Sequence, residues 1–557
     1  MDYRKNQILT VTIDDIGAGG EGIGKFEGYT LFVKDAVPGD VVEARLTKVK
    51  KNYAYARCEK IITPSKKRTE PFCREYRRCG GCQIQALSYE EQLRFKVNKV
   101  KNDLARIGGI PADVIEGIFE PIIAMDEPKR YRNKSQYPIG TDANGNPVAG
   151  FYAGRTHSII PCTDCGLAPE ENSMILGIIL DHMRQYKIPA YDESKGSGII
   201  RHVMVRKGYR TGEIMVCLVI RHTQKGLSIE DEFIPEQTEL IEKLCTVQGM
   251  TSVCVSINND NTNVIMGNEI HTLFGSDKIN DILLGKKFEI SPLSFYQINP
   301  VQVEKLYSTA IEYANLSGIE EVWDVCCGIG TISICMSDNA KLVHGLEIVP
   351  EAIEDAKKNA KLNGIENADF ICAAAEDYLP AHKEDITADV IVLDPPRKGM
   401  DEAALCAIAD VSPDRIVYVS CDSATLARDI KYLTGRGYEV KRIRCTDMFP
   451  QTVHVETVVC LSKGDVKSKK IRVEFSLEDI DTDGFKKGAT YNAIRDWIKA
   501  KYGYRVTNLN IAQVKQKHGI IERENYNKPK SPDSKQPGCP EEKVKAIEDA
   551  MRHFQMI

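Results

Sequence analysis

Val390-Ile-Val-Leu-Asp394-Pro395-Pro396-Arg397 is an apolar strand that ends in an acid and two prolines, and its reading decides the fold. Downstream, Ile416-Val-Tyr-Val-Ser420-Cys421-Asp422 is a second apolar strand, which delivers a cysteine at its carboxyl end. Val453-His454-Val455-Glu456-Thr457-Val458-Val459 then alternates around one acid. Upstream, Glu321-Val-Trp-Asp324-Val-Cys-Cys327-Gly328-Ile-Gly330-Thr331 runs from a strand into a glycine-rich turn. Strands are predicted at 322–325, 342–348, 369–372, 390–393, 416–420, 439–443 and 454–461, with helical stretches between them. Such alternation predicts a doubly wound, mostly parallel sheet, whose ligands gather at the carboxyl ends of its strands. A cofactor loop, a nucleophile and a base in one such unit describe an enzyme.

Each of these residues also has a bland reading. The glycines of 324–331 let a ligand approach the backbone where a strand becomes a helix, though a lone Gly-x-Gly is weak. It gains weight from Leu342-Val-His-Gly-Leu-Glu347, a second strand ending in an acid about 20 residues on, where a ribose hydroxyl is usually held. The third glycine of the dinucleotide fingerprint is missing, which favours S-adenosylmethionine over NAD. Asp394 could be a turn cap, but two prolines after it stiffen a loop fit to line a pocket. Cys421 ends a strand, and Asp422-Ser423 opens a predicted helix over 424–433, whose dipole would favour the thiolate. A core cysteine would sit inside the strand instead. Glu456 lies between valines, where burial is costly without a role and raises the pKa of a base.

Outward from this unit the composition changes. Residues 7–62 form short alternating runs broken by Gly17-Ala-Gly-Gly-Glu-Gly-Ile-Gly24 and Pro38-Gly39-Asp40, which predicts a small OB-type β-barrel. The net charge of −5 hides a basic block from Arg45 to Arg68 with Glu59 as its one acid. Tyr53 and Tyr55 lie inside that block, so it reads as a footprint for nucleic acid rather than a merely solvated face. A capping box at Ser88-Tyr-Glu-Glu91 starts a helix to Ile107, and residues 120–290 read as α+β. After 463 a lysine-rich linker, 463–472, precedes helical runs at 491–501 and 541–554 around a proline-containing stretch, 525–540.

The chain has 557 residues, enough for three or four domains, and 18 cysteines. With no signal-like start and no long apolar run, it is expected in the cytoplasm with reduced thiols. Cys217, Cys254, Cys372 and Cys460 read as core residues in apolar strands. Cys73, Cys79 and Cys82 differ, because their C-x5-C-x2-C spacing with Gly80-Gly81 in a polar loop suits metal or cluster ligation. Three thiolates leave a tetrahedral set one short, and Cys162 and Cys165 are the candidates for the fourth. Zinc and an iron–sulfur cluster both fit these ligands.

Five segments together resemble the RNA 5-methyluridine methyltransferase family over residues 7–462. They are Ser291-Pro-Leu-Ser-Phe-Tyr-Gln-Ile-Asn299, Asp324 to Gly330, Asp394-Pro-Pro-Arg397, Ser420-Cys421-Asp-Ser-Ala-Thr-Leu-Ala-Arg-Asp429 and His454-Val-Glu456-Thr. Within the family they look like the ribosomal RNA branch, which has an N-terminal TRAM barrel and a 4Fe–4S cluster. The resemblance implies a TRAM/OB-type barrel over 1–65 and an α+β central domain with the cluster over 66–290, its helix 88–110 set against the methyltransferase domain. A Rossmann-like methyltransferase domain follows over 291–463. The helical extension 464–557 lies outside the common family architecture.

The resemblance further implies S-adenosylmethionine as donor, held by Gln297, Cys326, Gly328, Thr331, Glu347 and Asp394. Cys421 would be the nucleophile at uracil C6 and Glu456 the base at C5. Cys73, Cys79, Cys82 and Cys165 would ligate the cluster, Cys165 fitting the family pattern better than Cys162. Cys326 stands where the family usually has an aromatic residue, and Thr331 where asparagine is frequent. Phe295 would stack near the flipped base or belong to the core. The expected partner is RNA, foremost 23S ribosomal RNA, with no membrane and a monomeric chain. A transfer RNA methyltransferase would share the chemistry. A radical enzyme would need a C-x3-C-x2-C triad that is missing here. An inert iron–sulfur RNA-binding protein would have no reason to keep both Cys421 and Glu456.

Overall fold

The computed structural model describes residues 3–154, 156–222, 232–464, 491–518, 520, 539–554 and 556–557. It divides into two compact units, Met1–Val466 and Lys467–Ile557.

At the N-terminus, strands Ile8–Ile16, Gly22–Phe26, Tyr29–Lys34, Val41–Val49 and Tyr53–Thr63 close into a barrel, the last lying between the third and fourth. Strand alternation turns Leu9, Val11, Ile13, Leu31, Val33, Val42, Leu46 and Ala54 inward as its core. A Cβ at Gly24 would lie 2.2 Å from the Thr12 carbonyl oxygen, so only glycine permits this strand crossing. On the outer face Phe32, Tyr53 and Tyr55 gather with ring centroids 5.6–5.7 Å apart. The basic block is not all free: Arg68 is bound to the buried Asp40, and Arg45 and Arg57 share Glu59.

A seven-stranded sheet forms the centre of the chain. Its wholly buried strand Ile214–Ile220 runs between Ile200–Lys207 and Met250–Ile257, and helices Glu171–Gln185 and Gln237–Leu244 cover it.

The third sheet has eight strands. In spatial order they are Ala368–Cys372, Leu342–Glu347, Glu321–Val325, Val390–Leu393, Arg415–Ser420, Glu456–Lys463, Tyr438–Thr446 and Phe119–Ile123. The first five are parallel, as the alternation predicted. The strand expected from residue 454 begins at Glu456, which leaves His454 in the preceding loop.

Three upstream pieces join this domain, across the expected divisions at 66 and 290. Strand Phe119–Ile123 adds itself parallel to Tyr438–Thr446. Helix Tyr89–Arg106 buries Val100 and Leu104 under one face of the sheet. The hairpin Ile279–Leu283 with Lys286–Ile290 supplies Phe288 and Ile290 to the core on the other. Ser88 caps the helix by accepting the Glu91 N–H at 3.4 Å, but Glu91 turns its carboxylate to Lys67 and Arg94, so the expected reciprocal box is replaced by ion pairs.

Cys217, Cys254 and Cys460 are buried as expected. Cys372 is not: it ends the edge strand of the sheet and is exposed. In the second unit, helices Tyr491–Tyr502, Asn508–Lys517 and Glu541–His553 enclose Ile494, Ile498, Ile511, Val514, Ile547 and Met551. The predicted linker 463–472 and proline-containing stretch 525–540 fall largely outside the described residues. Among the described residues, no helix is long and apolar enough to cross a membrane.

Candidate active site

At the carboxyl ends of the parallel strands lies a cleft of about 590 Å³, and Gln297, Cys326, Gly328, Thr331, Glu347, Asp394, Cys421 and Glu456 all line it. Every residue expected for donor binding and catalysis therefore meets in one cavity.

One wall is the turn after strand Glu321–Val325. Cys326, Gly328 and Gly330 take left-handed φ values of 70°, 56° and 79°. The non-glycine Cys326 is held there because the Leu346 carbonyl accepts the N–H of both Cys326 (2.8 Å) and Cys327 (3.1 Å). A Cβ at Gly328 would meet nothing within 4 Å, so its backbone stands bare to a ligand. The Gly328 N–H donates to Glu347 Oε2 at 3.2 Å, and the Val349 N–H donates to Oε1 at 2.9 Å. Behind the turn, the buried Asp324 accepts the Ser333 N–H at 2.9 Å, and desolvation raises its pKa to about 6. Thr331 touches the phenol of the buried Tyr307 at 3.3 Å. Burial, then the charge of Asp324, pushes Asp394 up to about 7. Acids at strand ends around a bare turn suit a ligand that is cationic and carries a ribose.

The other wall carries the thiol and the base. Cys421 follows strand Arg415–Ser420 and precedes helix Ser423–Gly435. The thiol is raised rather than lowered, against the direction expected from the helix dipole. Asp422 caps the helix itself, accepting the Ala424 and Thr425 N–H groups at 3.0 and 3.1 Å. Burial, and next the charge of Glu456, pushes the Cys421 thiol up to about 11, with Arg397 opposing. Glu456 is buried at the first position of its strand; desolvation, then Asp394, raises it to about 8 against the pull of Arg397. This is the direction read from its valine neighbours.

Four further lining residues received no role from sequence. Phe449 and His454 meet edge to face at 6.1 Å, and burial lowers the imidazole to about 4, so it is neutral at physiological pH. Tyr307 closes the floor, and Arg397 brings positive charge to the thiol and the base. Arg397 and His454 lie inside the Asp394-Pro-Pro-Arg397 and His454-Val-Glu456-Thr motifs; Phe449 and Tyr307 carry no comparable sequence signal. Phe295 is 70% exposed at the mouth of the cleft, which removes it from the core.

Away from the cleft, the chain brings the cysteine loop to the segment 150–165. Cys79 bridges to Ala153, and the Gly80 N–H donates to the Tyr152 carbonyl at 3.0 Å. A Cβ at Gly80 would press on Gly154 and Tyr152 at 3.1 Å, so glycine permits this approach. Burial, then the charges of Cys165, Cys79 and Cys73, raises Cys82 to about 12. Cys162 stands in the same group, raised to about 12 by burial and then by Cys165, Cys73 and Cys79. Among the described residues, no three His, Cys, Asp or Glu side chains form a ready site for a single metal ion.

The fold and the cleft together describe an α/β domain with a bare glycine turn and strand-end acids lining one cavity. Comparison with known proteins narrows this. A family model described as tRNA (Uracil-5-)-methyltransferase matches residues 211–464, and a TRAM domain model matches residues 4–58. An uncharacterized RNA methyltransferase of Clostridium tetani is 45% identical over 467 residues, covering 83% of this chain and 98% of its own length. One from Listeria innocua is 45% identical over 460 residues, covering 82% and 98%. Among solved structures, the tRNA (uracil-54, C5)-methyltransferase of Pyrococcus abyssi in complex with S-adenosyl-L-homocysteine matches with a TM-score of 0.65 and 25% identity. It covers 81% of this chain and 99% of that one. The chain belongs to the S-adenosylmethionine-dependent RNA uracil-5-methyltransferase family, in the group that carries a TRAM domain.

Proposed function

We propose that this enzyme methylates C5 of uracil in RNA, foremost 23S ribosomal RNA, with Cys421 as nucleophile and Glu456 as base. The observation that carries the reading is that both line the same cleft as the Gly328 turn and the acids Glu347 and Asp394. C5 of uracil is a poor nucleophile until the Cys421 thiolate adds to C6 and makes C5 enolate-like. C5 then takes the sulfonium methyl, and S-adenosylhomocysteine leaves with the electron pair of the broken S–CH3 bond. Glu456 accepts the C5 proton, and expulsion of the thiolate restores the C5–C6 double bond. Arg397 favours both the thiolate and the carboxylate. Gln297, Cys326, Gly328, Thr331, Glu347 and Asp394 would seat the donor. The target uridine must leave its stack, and the aromatic outer face of the barrel is suited to RNA beside it.

A 4Fe–4S cluster on Cys73, Cys79, Cys82 and Cys165 belongs to the same proposal. When bound it would cross-link two distant segments; methyl transfer needs no electron from it. The Cys79–Ala153 bridge and the Gly80 N–H bond to the Tyr152 carbonyl, which bring the cysteine loop against the segment that leads to Cys165, support the assignment. Anaerobically purified protein should be brown with about four irons per chain. A colourless protein with one zinc would refute the cluster and leave the Cys421 chemistry standing.

A transfer RNA target is the second reading, favoured by the Pyrococcus abyssi enzyme, whose name specifies a tRNA uridine. Mapping 5-methyluridine in ribosomal and transfer RNA with and without the protein decides between them. Cys421→Ala in the same assay should abolish the mark; retention would end the proposed mechanism.

A further inference from the structure

The cleft wall that leads into Glu456 is an irregular loop, residues 447–455, whose internal bonds run through Thr452, to the Phe449 carbonyl and from the His454 N–H. Its backbone polar groups are met from upstream in the chain. Lys96 Nζ reaches the Phe449 carbonyl at 2.9 Å, and Lys99 Nζ reaches that of Val453 at 3.2 Å. The Gln451 carbonyl accepts the N–H groups of Gln83 and Ile84, in the cysteine loop, at 3.1 and 3.2 Å. Gln451 and Gln92 exchange two bonds at 3.0 Å, Gln92 Nε2 to Gln451 Oε1 and Gln451 N–H to Gln92 Oε1. Gln451 has a left-handed φ of 71° without being a glycine, a conformation that persists only where the surroundings over-determine it. Both glutamines are buried, so their mutual bonds have no water as a substitute partner.

We infer that Gln92 and Gln451 are positioning residues for the base step: through them the helix Tyr89–Arg106 and the cysteine loop set the place of Glu456. The inference rests on the proposal that Glu456 is the base. Integrity of the cysteine loop is then read out at the methyl-transfer centre. Cys421 lies on a different strand end, before a helix that its own Asp422 caps. That helix meets the helix Tyr89–Arg106 through Asp103, which accepts the Ser423 hydroxyl at 2.6 Å, and not through Gln92. Addition to C6 therefore does not depend on the Gln92–Gln451 joint.

Gln92→Leu removes both bonds to Gln451 while keeping an apolar stem in the helix. Turnover on ordinary RNA should fall about tenfold or more, the scale of a small misplacement of a reacting group. A covalent protein–RNA complex should accumulate, because addition and methyl transfer proceed and proton loss stalls. Trapping by 5-fluorouridine RNA needs no base, so it should keep its wild-type rate, with S-adenosylmethionine binding unchanged. Lys99→Met, at a half-buried position, should show the same pattern more weakly, and it decides the matter if Gln92→Leu does not fold. Wild-type turnover in both variants, or loss of 5-fluorouridine trapping in step with turnover, would overturn the inference alone. Failure of the wild type to trap 5-fluorouridine RNA would overturn it together with the Cys421 mechanism.

Discussion

The two walls of the cleft hold themselves up over very different distances along the chain. On the donor side, Gly328 leans on Glu347, 19 residues away, and Asp324 on Ser333, 9 residues away. On the base side, Asp447 is bound by Lys96 from 351 residues away, and Gln451 by Gln92 from 359. Asn299 and Tyr131 grip the same loop at the carbonyls of Met448 and Pro450, both at 3.0 Å. The donor wall is a local motif that forms wherever a strand, a glycine turn and a helix follow one another. Glu456 itself is paired locally, opposite Thr446, but the loop of the base wall is tied down by upstream segments, so changes far from the chemistry reach it.

The largest expected effect comes from breaking the deepest of these contacts. Lys96 and Asp447 are an ion pair with no solvent exposure, and Tyr89 also donates to Asp447 at 2.8 Å. Lys96→Met would leave a buried carboxylate without its counter-charge and should cost about 3–5 kcal/mol of stability. Chemical denaturation measures it; a loss no larger than that of a surface substitution would mean that the two walls are equally self-contained.

This contrast also explains what the sequence disclosed. Strands with buried faces and acids or thiols at their carboxyl ends write themselves into local pattern, so the parallel sheet and the strand-end residues Asp394, Cys421 and Glu456 could be read from the residues. Gln297, Cys326 and Thr331 came from the family resemblance; all of them line the one cleft. Strand Phe119–Ile123 could not, since its place is set by an edge about 320 residues later. Phe449 was hidden for the same reason: an irregular loop has no periodicity, and its partners are remote. The error over Cys421 was of another kind. The helix begins where the sequence predicts, but burial and the Glu456 charge raise the thiol against the direction expected from the dipole, and Asp422 takes the Ala424 and Thr425 N–H groups. Cys372 was misjudged because an apolar run does not reveal whether its strand lies at the sheet edge.

A second test uses the charge of the base wall. Glu456 must be ionised to accept a proton, and burial holds it at about 8; Cys421 must ionise from about 11. The slope of log kcat/KM against pH should therefore fall by about one at pH about 8, while the rate still climbs toward 11. Stability runs the opposite way. A carboxyl whose folded pKa is raised contributes stability below the ordinary carboxylate range and loses it as pH rises through about 8. Glu456→Gln, neutral throughout, should melt above the wild type at pH 9 and level with it at pH 4. Matching melting curves at both values would remove the buried-carboxyl account.

On the donor wall the expected change is smaller and confined to one ligand. Glu347→Gln loses the charge-assisted bonds that hold Gly328 and Val349. It should weaken S-adenosylmethionine binding about tenfold and leave the melting temperature near that of the wild type, the converse of Lys96→Met. Calorimetric titration of the donor checks the first part, and an unchanged affinity would place the ribose contact elsewhere.

The central claim is that Cys421 and Glu456 act in sequence on one uracil. It is tested most directly by incubating Glu456→Gln protein with unmodified RNA and S-adenosylmethionine, then digesting and weighing the peptide that contains Cys421. Addition and methyl transfer without proton loss predict a Cys421 peptide carrying a methylated uridine nucleotide, accumulating to nearly one per chain. Wild-type turnover by Glu456→Gln with a bare Cys421 peptide would contradict the account.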